Sequence, residues 1–222
     1  NDRLSGASGN DIAFGGEGDD TFDWNPGDAN DVFEGQAGND TMLFNGANVG
    51  EVVTLSANGP RLRFTRNVAT VTMDCDDIEV VVFNAKAEPD SITINDLSGT
   101  DVQEVKLDLS AAGDAGAGDV SMDVITINGT DNSDNVTVNG SAGVVNVTGL
   151  PAAVRIFSSV GADDKVIVRT FAGDDVIRAS ELPAGLIGFI ADGGDNDDVL
   201  VGSGGDDTLI GGQGGDGLTG GP

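Results

Sequence analysis

The sequence has no histidine and no tyrosine, one cysteine, one tryptophan, and ten lysines and arginines against 38 carboxylates. Each shortage excludes something. Without histidine the chain lacks the commonest general base and the usual catalytic triads, and Cys75 has no histidine to activate it. One cysteine closes no intrachain disulfide, so Cys75 reads as a small buried hydrophobe. An extracellular fold of this kind would need another staple, such as a metal. A formal net charge of -28 repels the phosphates of nucleic acid. No apolar run is long enough to span a bilayer, so neither nucleic-acid binding nor membrane insertion is expected. No leader is legible at the start, which reads as a mature or excised segment. No long stretch has helical apolar spacing, and the few aromatics favour a thin, repetitive aliphatic core over a bulky one.

Against these shortages stand 35 glycines and a strong preference for aspartate, 31 Asp to 7 Glu. Solubility alone would be served as well by Glu. Aspartate is the shorter acid and hydrogen-bonds nearby backbone in turns. Gly and Asp are both poor in helix interiors, while the Val, Ile and Thr of the body favour strands. The composition predicts an all-β chain of short strands and many tight turns.

The turns repeat. "GGEGDDTFD" (15–23) places two glycines, a third glycine, an aspartate and a large apolar residue in fixed order. "GGDNDDVLV" (193–201), "GSGGDDTLI" (202–210) and "GGQGGDGLT" (211–219) follow one another in the same phase without a gap. Asp198, Asp207 and Asp216 are thus nine apart, as are Leu200, Leu209 and Leu218. At the other end Asp2, Asp11 and Asp20 are nine apart, Asp31 follows after eleven, and Asp40 restores the nine. Their apolar partners are Leu4, Ala13, Phe22, Phe33 and Met42, with Ala13 a weak filler.

A glycine-rich turn can aim carbonyls inward, because glycine reaches backbone conformations closed to other residues. Aspartate adds short-armed carboxylate oxygens. Calcium takes about six to eight such oxygens at about 2.3–2.6 Å. Charge supports a cation: residues 192–222 hold seven aspartates and no Lys or Arg, and residues 1–50 hold ten carboxylates and only Arg3. In a compact stack these like charges repel, and a dication at each step would turn repulsion into coordination.

The phrase resembles the RTX (repeats-in-toxin, haemolysin-type) calcium-binding nonapeptide G-G-x-G-x-D-x-U-x, with U large and apolar. The resemblance covers roughly a third of the chain. It departs from the pattern at Asn196, where the third glycine belongs, at Ser203, which replaces a second glycine, and in the irregular unit 24–34. It implies a parallel β-roll, or β-helix solenoid, with two nonapeptides per coil and several Ca2+ ions between stacked turns. The ligand candidates are Asp2, Asp11, Asp20, Asp31, Asp40, Asp198, Asp207 and Asp216, with the turn glycines Gly9, Gly16, Gly18, Gly38, Gly194, Gly205, Gly212 and Gly214. The resemblance also implies a secreted or cell-surface bacterial protein that leaves the cell unfolded, where calcium is scarce, and folds outside.

Three segments follow: N-terminal repeats (1–43), a degenerate body (44–190) and C-terminal repeats (191–222). The body keeps the D-x-U core with its glycines diluted, at Asp90–Ile92, Asp134–Val136, Asp164–Val166 and Asp175–Ile177. One continuous solenoid with lengthened, mostly metal-free coils accounts for it. The alternative is an antiparallel β-sandwich inserted between two rolls, which Asn58-Gly59, a strong hairpin turn, favours locally. "DNSDNVTVNG" (131–140) begins like an EF-hand but lacks its glycine and closing glutamate. The basic residues Lys165, Arg169 and Arg178 could line a groove, but read as balance for local acid.

No catalytic residue is expected in this segment. The reading is a calcium-dependent extracellular structural protein, such as a surface layer, matrix, adhesin stalk or filament element. The alternative is a calcium-binding module of a secreted RTX toxin or hydrolase with its catalytic domain elsewhere. The chain starts at the fifth position of a unit and stops at the third, so its two ends nearly complete one nonapeptide. That suggests end-to-end self-association, as a homo-oligomer or filament, because open solenoid ends expose strand edges.

Overall fold

The structure is a computed structural model that describes residues 1–161 and 163–222. It is all-β. The strands of the first third are β1 (Arg3–Leu4), β2 (Ile12–Glu17), β3 (Thr21–Trp24), β4 (Val32–Ala37), β5 (Thr41–Asn45), β6 (Val52–Asn58) and β7 (Arg61–Arg66). The body continues with β8 (Val71–Asp76), β9 (Val80–Asn84), β10 (Ser91–Ile94), β11 (Glu104–Asp108), β12 (Val124–Asn128), β13 (Asn135–Ser141) and β14 (Val144–Thr148). The last third holds β15 (Ala153–Phe157), β16 (Lys165–Arg169), β17 (Val176–Glu181), β18 (Gly188–Asp195), β19 (Val199–Val201), β20 (Asp207–Gln213) and β21 (Gly217–Thr219).

These strands make two sheets. An 11-stranded sheet has the order β1-β3-β5-β9-β11-β15-β14-β13-β17-β19-β21, and a 10-stranded sheet the order β2-β4-β8-β7-β6-β10-β12-β16-β18-β20. Successive strands mostly alternate between the two, and most neighbours pair in parallel, which is consistent with a β-roll. Among the described residues, antiparallel strand pairing is confined to two three-strand meanders, β6–β7–β8 in one sheet and β13–β14–β15 in the other. Each lies in the same sheet as terminal strands. The first turns at Gly59-Pro60, closed by the Asn58–Arg61 pair. The second turns at Ala142-Gly143, both with positive φ (52° and 80°), as a twist-matched two-residue hairpin requires.

The period of two sets the core. The residue two after each repeat aspartate points inward, and parallel register stacks these residues into columns. In the larger sheet Leu4, Phe22, Met42, Val81, Val105 and Val154 are successive partners. In the other, Val53, Ile92, Ile125, Val166 and Phe189 are. Each fully buried side chain of this size contributes about 1.5–3 kcal/mol. Cys75 lies in the core with its Sγ 3.5 Å from Met42 Sδ, and burial pushes its thiol pKa up. The sequence predicts a thin aliphatic core. The body and C-terminal part have one, but the few aromatics gather in the first third. Trp24 stacks on Phe44 at 3.9 Å between ring centroids, and Phe44 packs on Phe64 at 4.4 Å.

Phe44→Ala should therefore lower the unfolding free energy by about 3–5 kcal/mol, measured by denaturant titration in excess calcium. Phe14, on the outer face of β2 and 61% exposed, should tolerate Ala within about 0.5 kcal/mol. Equal effects would mean that the aromatic stack is not part of the folded core.

Candidate metal centres

The repeat aspartates other than Asp207, which opens β20, stand immediately before their strands, where the chain leaves a turn. Parallel stacking brings the aspartate of one coil beside that of the next, and one bond recurs. The backbone N–H of Asp20 donates to the Asp40 carboxylate (2.7 Å), that of Asp2 to Asp20, and that of Asp40 to Glu79 (2.6 Å). Asp11 donates in the same way to Asp31 (2.9 Å). In the body Glu51 donates to Asp90 (2.7 Å), Asp90 to Asp123 (2.8 Å) and Asp123 to Asp164 (3.0 Å). Toward the C-terminus Asp134 donates to Asp175 (2.7 Å), Asp175 to Asp198 (2.9 Å) and Asp198 to Asp216 (3.1 Å). The carbonyls of these residues accept the first strand N–H of the next coil, as in Asp20 to Thr41 and Asp175 to Val199. A carboxylate thus extends the parallel ladder one step beyond the strand.

Glycine makes room for it. Five residues before its aspartate, a Cβ on Gly15 would lie 2.8 Å from Asp20 Oδ2, and one on Gly35 2.6 Å from Asp40 Oδ2. Gly193 and Gly211 would collide with Asp198 and Asp216 in the same way. The second and third glycines have another duty. Gly16, Gly18, Gly194 and Gly212 have φ of 103°, 110°, 103° and 104°, and turns stack so closely that a Cβ on Gly212 would strike the Gly194 carbonyl. Asn196, in a glycine's place, takes φ 85°, a conformation that asparagine tolerates better than most residues.

The ladders leave one oxygen of several carboxylates without a donor. Oδ1 of Asp20, Asp40, Asp90, Asp123, Asp175 and Asp198 takes the N–H of the neighbouring coil, while Oδ2 of these six and of Asp11 and Asp119 is buried and meets no hydrogen-bond donor among the described residues. Asp40, Asp123 and Asp175 are fully enclosed. Burial, reinforced by neighbouring acids, raises the carboxyl pKa of Asp31, Asp40, Asp175 and Asp198; the donated backbone N–H only partly offsets it. Burial pushes Asp90 to about 8 and Asp123 to about 7. A buried acceptor without a partner costs about 1–3 kcal/mol, and more when charged. Rows of hard, unpartnered oxygens beside tight glycine turns fit a hard dication such as calcium. The donor set has no sulfur or imidazole to draw a softer metal.

A family model described as the RTX calcium-binding nonapeptide repeat matches residues 1–24, 26–48 and 192–222, in four copies. The chain carries RTX calcium-binding repeats. No curated protein matches it. RTX nonapeptide repeats as a class bind Ca2+ and are a structural, not a catalytic, motif. They are typical of secreted bacterial proteins. No helix among the described residues is long and apolar enough to cross a membrane.

Within the RTX segments, Asp2, Asp20 and Asp40 share one ladder, Asp11 and Asp31 another, and Asp198 and Asp216 a third. The turns of Gly16 and Gly18 stack against that of Gly38, and those of Gly194, Gly212 and Gly214 stack together. Gly9 has φ 124°, and a Cβ on it would lie 3.8 Å from Asp11 Oδ2. Asp207 and Gly205 stand apart. Asp207 pairs in register with Phe189, so no carboxylate precedes it in the stack. It instead accepts the backbone N–H and hydroxyl of Ser203, and Gly205 donates to that hydroxyl.

The geometry adds residues outside the matched segments. Glu51 and Glu79 take aspartate positions, and Asp123, Asp134, Asp164 and Asp175 carry the ladders through the body. Asp123-x-Ile125 is a D-x-U signal in the sequence, with Gly118 five residues before the aspartate as in the repeats. Asp76, Asp77 and Asp101 form a partly exposed cluster with ligand atoms within 4.8 Å of one another. Of the basic residues in the body, Arg169 pairs with Asp192 at 3.8 Å and Arg178 with Asn135 at 3.3 Å.

Two tests follow from this geometry. A folded pKa raised above its unfolded value contributes stability that is full below the unfolded pKa and is lost as pH rises through the folded one. For Asp90 and Asp123 that window runs from the ordinary 3.8 up to about 8. In EDTA, the β signal that the chain keeps at about pH 5 should be lost by about pH 8.5; a gain over that range would mean that the buried carboxylates are already compensated. Separately, Gly193→Ala should destabilise the calcium-loaded chain by about 1–3 kcal/mol. Gly220→Ala, where a Cβ would meet nothing within 4 Å, should be near neutral.

Proposed function

We propose that this chain is a calcium-dependent extracellular structural element that folds when it binds the ion. The observation that carries the reading is the set of buried carboxylate oxygens, coil upon coil, that no donor of the protein meets. In this reading the chain is one continuous solenoid. Residues 1–43 and 191–222 are its calcium-stapled ends and 44–190 its body, joined by sheets that run through all three. Metal binding to a chain that cannot otherwise bear its own charge is folding free energy, so export unfolded and folding outside follow from the same charges.

Self-association belongs to this reading. Leu218 on β21, at the inward position of the last coil, is 49% exposed, and Leu4 on β1 is only partly buried at the opposite end of the stack. A further coil laid on either end would cover apolar surface and pair the outermost strands. A second copy or a continuation of the same chain could supply it.

Calcium titrated into EDTA-treated protein, followed by far-ultraviolet circular dichroism with magnesium as control, tests the central claim. A cooperative gain of β signal with calcium alone is expected. A spectrum that is already β-rich and indifferent to calcium would overturn calcium-driven folding. Sedimentation in calcium at rising protein concentration tests association, and a monodisperse monomer throughout would exclude it.

A further inference from the structure

We propose that Asp76, Asp77 and Asp101 together hold a divalent cation of the calcium type where the N-terminal repeats pass into the body, outside the RTX-matched segments. The proposal does not depend on calcium at the repeats, because none of the three belongs to a nonapeptide. Asp76 closes β8, and Asp77 follows it into the turn toward β9. Asp101 lies in the turn before β11. The strands β9 and β11 pair in parallel, Val80 beside Glu104, and the Glu79 carbonyl accepts the Gln103 and Glu104 N–H groups. The two turns therefore stack, and their carboxylates converge: one oxygen from each of the three lies within 4.8 Å of the other two. Ligands on opposite sides of one calcium ion are about 4.6–5.2 Å apart, so a single ion can lie between all three.

Surface acids often cluster without an ion. Here a buried oxygen beside the cluster also lacks a partner. Asp40 is fully enclosed, and its Oδ2 meets no donor. That oxygen faces Asp77. The place that a Cβ on Gly35 would take lies 2.6 Å from Asp40 Oδ2 and overlaps the Asp77 carbonyl oxygen. Two acceptors, with no donor of their own, are thus brought to the spacing of neighbouring ligands, and a glycine leaves the room for it. Countercharge from the protein is short. Arg61 is shared among Glu34 at 2.9 Å, Asp74 at 2.6 Å and Asp76 at 3.0 Å. Among the described residues Asp40, Asp77 and Asp101 form no ion pair. An oxygen-only donor set with surplus negative charge is what calcium selects. An ion there fastens the last repeat turn to the first turns of the body, across the β6–β7–β8 meander.

The test uses the full chain. Asp77→Asn and Asp101→Asn should fold, because asparagine tolerates the φ of 51° at position 77 and Asp101 is exposed. Bound calcium is counted by equilibrium dialysis with radioactive calcium for wild type, both variants, and Asp198→Asn as a reference within the repeats. Amide hydrogen exchange of residues 76–80 and 100–104 is followed with and without calcium. Each of the two variants should bind one ion fewer, or bind it about tenfold or more weakly, and should lose the calcium-dependent protection of those amides. An unchanged count and affinity in both overturns the proposal, as does wild-type protection there that ignores calcium. If Asp77→Asn fails to fold, Asp101→Asn decides alone. Loss of an ion from Asp101→Asn but none from Asp198→Asn would uphold this site and count against the terminal one. The reverse would overturn this site and leave the calcium reading of the repeats standing.

Discussion

The fold depends on holding carboxylates at the spacing of a parallel sheet. Adjacent strands lie about 4.8 Å apart, so aspartates that open successive coils face one another at nearly that distance. Two unit charges so placed repel by about 3 kcal/mol at the effective dielectric of a protein. The hydrogen bond that each carboxylate accepts from the next backbone contributes about 1.5–3 kcal/mol. Repulsion and hydrogen bonding roughly cancel, and the desolvation of a buried charge remains. Hydrogen bonding alone therefore positions the ladder without stabilising it. A dication between neighbours makes the summed interaction of the charges attractive, because it adds two attractions, each of a double charge, to one repulsion.

The glycines follow from the same requirement. A carboxylate that must reach back over its own turn needs the space that a Cβ would fill five residues earlier, as at Gly15 and Gly35. Turns that must stack at strand spacing need backbone against backbone, which explains the positive φ at Gly16, Gly18, Gly194 and Gly212. Composition, period and charge are consequences of one geometry. Glutamate takes the same position at Glu51, where Gly46 clears the carboxylate as Gly15 does for Asp20, and at Glu79.

Much of this was legible in sequence, because a strict period of nine exposes its own register. The D-x-U spacing predicts inward residues correctly at Phe22, Met42, Ile92, Ile177 and Leu200. What was not legible is what preserves the alternation while changing the topology. The strands β7 and β14 read like any other short strand, yet they run antiparallel within otherwise parallel sheets. Asn58-Gly59 marks the first reversal. Nothing in the glycine pattern marks the out-of-line position of Asp207, because that depends on which residue the preceding coil places beside it. Phe189 does so, and an aspartate stacked on a phenylalanine finds no ladder to join.

The two meanders also have a mechanical reason to occur together. Each adds two strands to its sheet, one meander in the larger sheet and one in the smaller. Had only one sheet gained them, two strands' worth of apolar column would have faced solvent. Balanced additions keep the sheets at eleven and ten strands and the core covered. They also divide the carboxylate ladders, which break where a meander intervenes and resume beyond it. Near the first meander the fold supplies a protein cation, Arg66 against Glu51, and packs its aromatics most densely. Residues 192–222 contain no Lys or Arg at all. Under the proposed calcium-dependent folding, dependence on the ion is graded along the stack. It is least where side chains of the body already neutralise and bury, and greatest in the C-terminal turns, where the protein offers no other countercharge.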